Sequence, residues 1–147
     1  MKKLVLFLLL LPFSIYPQIS EWNLRNITAL NVQLRDPQKL LTENNYLKVD
    51  TETKLKIKSA GIKLNDESPA FIIGITNVSE NKYLIWLRIE EMIKVERNDK
   101  LQSAYGITYS NNEFIKSDLF ESYNTAIMKT IDKMLNLFLS EFLEKNK

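Results

Sequence analysis

Glu91 is the side chain of this sequence best placed to do acid–base chemistry. It stands between Ile89 and Ile93 in a run that alternates apolar and polar residues, so the alternation places it on the apolar face. Burial there would disfavour the charged carboxylate and raise its pKa, as in a general acid. The alternative, which we favour, is a β-bulge at Glu90 and Glu91 that turns both carboxylates outward.

Most other catalytic groups are missing from the chain. It contains no His and no Cys, which removes the usual nucleophile–base pairs and the commonest zinc ligands. The glycines are isolated, so there is no phosphate-binding loop, and the stretches 65–68 and 97–100 lack the regular acidic spacing of a calcium loop. We therefore expect no enzyme, and no catalytic residue, metal ligand or cofactor.

A surplus of apolar residues on one strand is more informative. Leu84, Trp86 and Met92 fall on the face opposite the one that the apolar alternation assigns to the core. If one helical layer covers only the core face, Trp86 is partly exposed, and aromatic and Met side chains rimmed by charges are typical of protein interfaces. The alternative is that the first helix, or the segment around Trp22, folds over this face and buries Trp86.

The strands that position these side chains follow from period-two alternation. Strands are predicted from Leu30, over 62–65, from Ala70, from Tyr83 and over 101–110. The last of these segments are joined by connections of roughly four to six residues, for which antiparallel hairpins are the economical pairing.

Residues 46–60 fit both a strand and a helix. Two pairs with the acid four residues before the base, Asp50 with Lys54 and Glu52 with Lys56, favour the helix. Gly61 then stands where a left-handed C-terminal cap is wanted.

A long helix closes the chain. It is predicted to begin near Ser117 or Asp118, with Glu121 completing a capping box. Leu137, Leu139 and Leu143 fall outside its apolar stripe, so they either meet loops at the end of the sheet or bind a second molecule. The stripe itself, typical of a helix that covers a sheet, consists of Phe120, Tyr123, Ile127, Ile131, Met134, Phe138 and Phe142.

The start of the chain predicts export. Met1-Lys2-Lys3 followed by an apolar run is typical of a signal peptide, here assigned to residues 1–18, which leaves 19–147 as one domain. Without Lys2 and Lys3 the basic residues fall from 20 to 18, equal to the 18 acidic ones. A neutral chain with interspersed charges excludes nucleic acid as a partner, and we expect no transmembrane span in the mature chain.

Together these elements predict an α+β fold, in which a single antiparallel sheet of about four to five strands is packed by a long C-terminal helix and a shorter helix, in the order β-α-β-β-β-β-α. The stretch "TETKLKIKSAGIKL" at 51–64 resembles a helix-to-strand signature of small exported bacterial proteins that also end in a helix like "FLSEFLEKNK". The arrangement is similar to the α+β domains of bacterial envelope accessory proteins. That resemblance covers about residues 27–147 and implies a fold, since no functional residue carries over from it.

The sequence thus favours an exported, non-catalytic binding or assembly module, periplasmic or extracellular. Its partner would be another envelope or secreted protein, and Leu84, Trp86, Met92, Leu139 and Leu143 are the candidate partner-binding residues. A small carrier that holds an apolar ligand between helix and sheet is the alternative.

Overall fold

A computed structural model describes residues 24–98, 100–116 and 122–147. Its elements follow the predicted order β-α-β-β-β-β-α, which confirms the α+β fold. They are β1 (Ala29–Arg35), α1 (Glu43–Ser59), β2 (Lys63–Leu64), β3 (Ala70–Ser79), β4 (Lys82–Arg97), β5 (Lys100–Lys116) and α2 (Tyr123–Lys145).

Local chemistry fixes both ends of α1. The Thr42 side chain accepts a hydrogen bond from the backbone N–H of Asn45 at the N-terminus. In the middle of the helix, Lys54 and Asp50 form the predicted ion pair at 2.7 Å. Gly61 follows the helix with φ +84°, a left-handed conformation that favours glycine, so the predicted C-terminal cap is confirmed.

The sheet is mixed and has the strand order β2-β1-β3-β4-β5. β3, β4 and β5 form the predicted antiparallel hairpins, whereas β1 pairs in parallel with both β2 and β3. The expectation of a purely antiparallel sheet was therefore wrong for β1. The physical reason is the connection from β1 to β2, which contains the whole of α1 and is long enough for a crossover between parallel strands.

Both helices pack on the same face of the sheet, called the core face here. Val49 and Ile57 of α1 and Met134 of α2 belong to one buried cluster with the inward side chains of the strands. Phe138 lies at its centre, with ring centroids 4.9 Å from Phe71 and 5.2 Å from Tyr109. The described part of the predicted aromatic stripe is thus buried, apart from Tyr123, which is 39% exposed.

The N-terminus of α2 is capped by Ser122, whose hydroxyl accepts a hydrogen bond from the backbone N–H of Thr125. α2 begins at Tyr123, so the predicted start near Ser117 or Asp118 was too early. The predicted capping box of Asp118 and Glu121 lies outside the described residues.

The C-terminal end of α2 packs against the segment that leads into β1. Asn146 donates from its amide nitrogen to the carbonyl of Leu24 at 2.9 Å, and its amide oxygen accepts from the N–H of Asn26 at 3.3 Å. Leu139 is partly buried against the core nearby, whereas Leu143 is 48% exposed. The last turn of α2 therefore meets the segment before β1 through Asn146.

β4 and β5 continue past the rest of the sheet. Ala70, the first residue of β3, pairs with Glu90, so residues 91–97 and 100–106 form a two-stranded ribbon. Seven residues at about 3.3 Å each extend the ribbon roughly 23 Å. At its base β5 carries an extra residue, Thr108, because Ile89 pairs with Tyr109 whereas Glu90 pairs with Ile107.

Candidate partner-binding face

The outer face of the sheet lies opposite the two helices. Register places the side chains of β3 and β4 on it in directly opposed pairs: Ile72 with Arg88, Gly74 with Trp86, and Thr76 with Leu84. α1 packs on the core face, so it does not cover Trp86, and Trp22 lies outside the described residues. Trp86 and Leu84 are half-buried here.

Trp86 lies directly on the backbone of Gly74. A Cβ atom added at Gly74 would be 1.9 Å from Cε2 of the indole, far inside van der Waals contact. The missing side chain at Gly74 is therefore what lets the indole lie flat across β3. The result is an aromatic platform on the outer face.

Arg88 completes this platform. Its guanidinium carbon lies 4.6 Å from the Trp86 ring centroid, the geometry of a cation–π interaction. The Nε atom of Arg88 is buried and has no hydrogen-bond partner. An unpaired buried donor costs about 1–3 kcal/mol.

A second cation–aromatic pair lies farther along the same face. Lys82 is 4.8 Å from the ring centroid of Phe114, and Lys82 directly opposes Lys116. Like charges that face each other across strands are unfavourable. In the part of the sheet where β3 pairs with β4, charged side chains of β1, β4 and β5 lie on the outer face. One of them, Glu90, is acidic, and the others are basic: Arg35, Lys82, Arg88 and Lys116.

Exposed apolar side chains continue the face onto the ribbon. Met92, 56% exposed, directly opposes Tyr105, 76% exposed, and Ile107 lies one pair closer to the sheet. Exposed apolar groups that form one surface with charges around them are typical of interaction sites. This surface connects Phe114 and Trp86 with the tip of the ribbon.

The five predicted partner-binding residues do not form one site. Leu84, Trp86 and Met92 share the outer face, but Leu139 and Leu143 belong to α2 on the other side of the sheet. The set therefore divides between two surfaces, because one sheet separates them. The outer face alone joins several of these side chains.

Four residues of the outer face were not singled out in the sequence: Gly74, Arg88, Tyr105 and Phe114. Thr108 shifts the alternation of β5 by one residue, so Tyr105 and Phe114 share a face although one number is odd and the other even. The sequence did not show that Gly74 accommodates the indole, because this depends on the strand register that places Gly74 opposite Trp86.

The side chain of Glu91 lies on the same face of β4 as that of Ile89 and is half-buried. The predicted outward turn was wrong, because the bulge adds its extra residue to β5, at Thr108, and leaves β4 regular. Glu91 lines an open cleft of about 330 Å³ together with Arg25, Ser68 and Thr108. Within the described ranges, no group of acidic side chains is arranged to hold a metal ion.

A groove of about 280 Å³ lies between the two helices. Val49 and Leu135 form its apolar floor, and Lys48, Glu52 and Asp132 line it as well. The predicted carrier needed an apolar cavity between helix and sheet, but that interface is packed by the ring contacts of Phe138.

No family model matches this chain, and no curated protein matches it at a significant level. A solved structure of a minor lipoprotein from Acinetobacter baumannii is similar to it with 11% sequence identity and a TM-score of 0.31, over 80% of this chain and 92% of that one. A TM-score of this size does not establish a shared fold. Among the helices described, none has the length and apolar character needed to cross a membrane.

Proposed function

We propose that this protein is an exported, non-catalytic binding or assembly module that recognises another envelope or secreted protein through its outer face. The observation that carries the proposal is the Trp86 indole, held on Gly74 and flanked by Arg88. Tryptophan and arginine dominate the binding energy of protein interfaces. The basic run at Lys2 and Lys3, followed by apolar residues, supports export.

The charge of the face indicates the chemistry of the partner. Basic side chains outnumber the one acidic side chain, Glu90, around the platform. A partner surface with carboxylate or carbonyl oxygens beside an apolar group fits these features. Such charge complementarity also steers association and fixes orientation.

Truncation of the platform tests the proposal. Trp86→Ala should weaken binding of the co-purified partner by about 30-fold or more, as expected for a central hot spot. Leu137→Ala is the matched control, because it removes an apolar side chain that is 48% exposed on the helical side. Retention of the partner by Trp86→Ala, or equal loss with both variants, would exclude the outer face as the binding surface.

A further inference from the structure

The two edges of the sheet differ greatly in length. β2 supplies only two residues at one edge, whereas β5 supplies 17 at the other. Among the described strands, none pairs with the outer side of β5. A free strand edge presents unpaired N–H and C=O groups to another strand. We propose that a second copy of this chain pairs antiparallel with β5, so that the protein is a twofold symmetric dimer.

The composition of β5 supports a role as an interface. Exposed edges are usually protected by charges or proline. Residues 101–112 carry twelve consecutive uncharged side chains, and β5 contains no proline. The charged residues of β5, Lys100, Glu113 and Lys116, lie near its two ends. The long central part of this edge therefore lacks the features that prevent strand pairing.

The bulge at Thr108 fixes the register. Before it, the odd-numbered residues of β5 point to the outer face, and after it the even-numbered residues do. Paired strands place side chains of the same face opposite each other. Two antiparallel copies of β5 place side chains of the same face opposite each other on both sides of the bulge only when the twofold axis passes beside the bulge.

One alignment also matches the side chains. With Ile107 opposite Thr108 of the second copy, Leu101 opposes Phe114 of the second copy, and symmetry makes this contact twice. Leu101 is 74% exposed and Phe114 is 60% exposed, so both would bury apolar surface. Lys100 then lies diagonal to Glu113 of the second copy, where opposite charges attract.

Pairing also supports the ribbon and limits the assembly. A two-stranded ribbon is marginally stable by itself, and in this alignment residues 100–106 of each copy gain the strand 109–115 of the other. The remaining edge is β2, whose two residues are too few to add another strand. An isologous contact of this kind closes at two copies.

A charge swap at the axis tests the proposal by sedimentation velocity of the purified protein. The wild-type protein should sediment as a dimer. Ile107→Lys and Ile107→Glu should each weaken dimerisation about 100-fold or more, since like charges then meet across the axis. An equimolar mixture of the two variants should form dimers again, which also shows that both variants fold.

Met92→Lys is the matched control. Met92 is 56% exposed on the same face, compared with 50% for Ile107, but it lies on β4, one strand away from the edge. Met92→Lys and Trp86→Ala should both remain dimeric, so the result is independent of the proposed partner-binding function. A wild-type monomer at about 100 µM, well above a micromolar Kd, would overturn the proposal. So would a monomeric mixture, or dissociation by Met92→Lys as complete as that by Ile107→Lys.

Discussion

The negative charge of Glu141 on α2 acts on the buried phenol of Tyr109 on β5 and favours its protonated form. Tyr109 is 1% exposed, and its ring contacts Phe138 edge to face. Burial is the larger cause and the charge of Glu141 the second, and together they raise the pKa of Tyr109 to about 12. This interaction links the sheet to the long helix, and it is favourable while the tyrosine is protonated.

We expect stability to fall at alkaline pH because of Tyr109. A raised pKa in the folded state gives stability that is complete below the unfolded pKa of about 10 and is lost as pH rises to about 12. Over this window the free energy of unfolding should drop by about 2–3 kcal/mol from this residue. Urea denaturation at a series of pH values measures the drop.

The variant Tyr109→Phe distinguishes the contribution of Tyr109 to the alkaline loss of stability from the contributions of the other tyrosines and the lysines. The variant should lose about 1 kcal/mol at neutral pH, because it removes the interactions of the buried hydroxyl. Its further loss between pH 10 and 12 should be smaller than that of the wild-type protein. An identical pH dependence in the two proteins would contradict the assignment to Tyr109.

Gly74→Ala should destabilise the protein by about 1–3 kcal/mol, because the new methyl group overlaps the indole of Trp86. In a Trp86→Ala background the same change should cost less than about 0.5 kcal/mol, since the overlap is gone. A double-mutant cycle from chemical denaturation gives this coupling. Equal costs in both backgrounds would show that the indole does not need the space at Gly74.

Phe138→Ala should cost about 3–5 kcal/mol of unfolding free energy, because it empties the centre of the core where three aromatic rings meet. Leu137→Ala, one residue earlier and 48% exposed, should change stability by less than about 0.5 kcal/mol. Thermal unfolding of both variants provides the comparison. Similar melting temperatures of the two variants would show that the face of α2 that carries Phe138 does not pack against the sheet.

Asn146→Ala should cost about 1–2 kcal/mol, because its amide holds Leu24 and Asn26 from the opposite end of the sequence. The loss should be local. Amide hydrogen exchange should speed up at residues 24–28 before it changes in β3 or β4. Unchanged exchange in that segment would show that the contacts of Asn146 contribute nothing to its order.

Periodicity and capping predicted the elements well because those signals are local. The Asp50–Lys54 pair and the cap at Gly61 depend only on neighbouring residues, and both are present. Glu52 and Lys56 do not form their predicted pair. Lys56 instead contacts Asp132 and Asn136 of α2, which is a consequence of how the helices pack.

Strand partners and the composition of the site depend on contacts distant in sequence. The parallel pairing of β1 follows from the crossover of α1 over the sheet. The length of the connection permits this crossover but does not require it, so the sequence could not predict it. Likewise, the extra residue at Thr108 decides which side chains of β5 join Trp86 on the outer face. A bulge of this kind has no fixed sequence signature, so its position was misplaced to Glu90 and Glu91.

The contact of Asn146 with Leu24 brings two distant parts of the chain to the same end of the molecule. A short linker from Lys147 to Leu24 would therefore close the described part of the backbone into a ring with little strain. New termini could then be opened at the exposed turn around Asn81, between β3 and β4. The protein is thus suited to circular permutation, and its folding should tolerate a different starting residue.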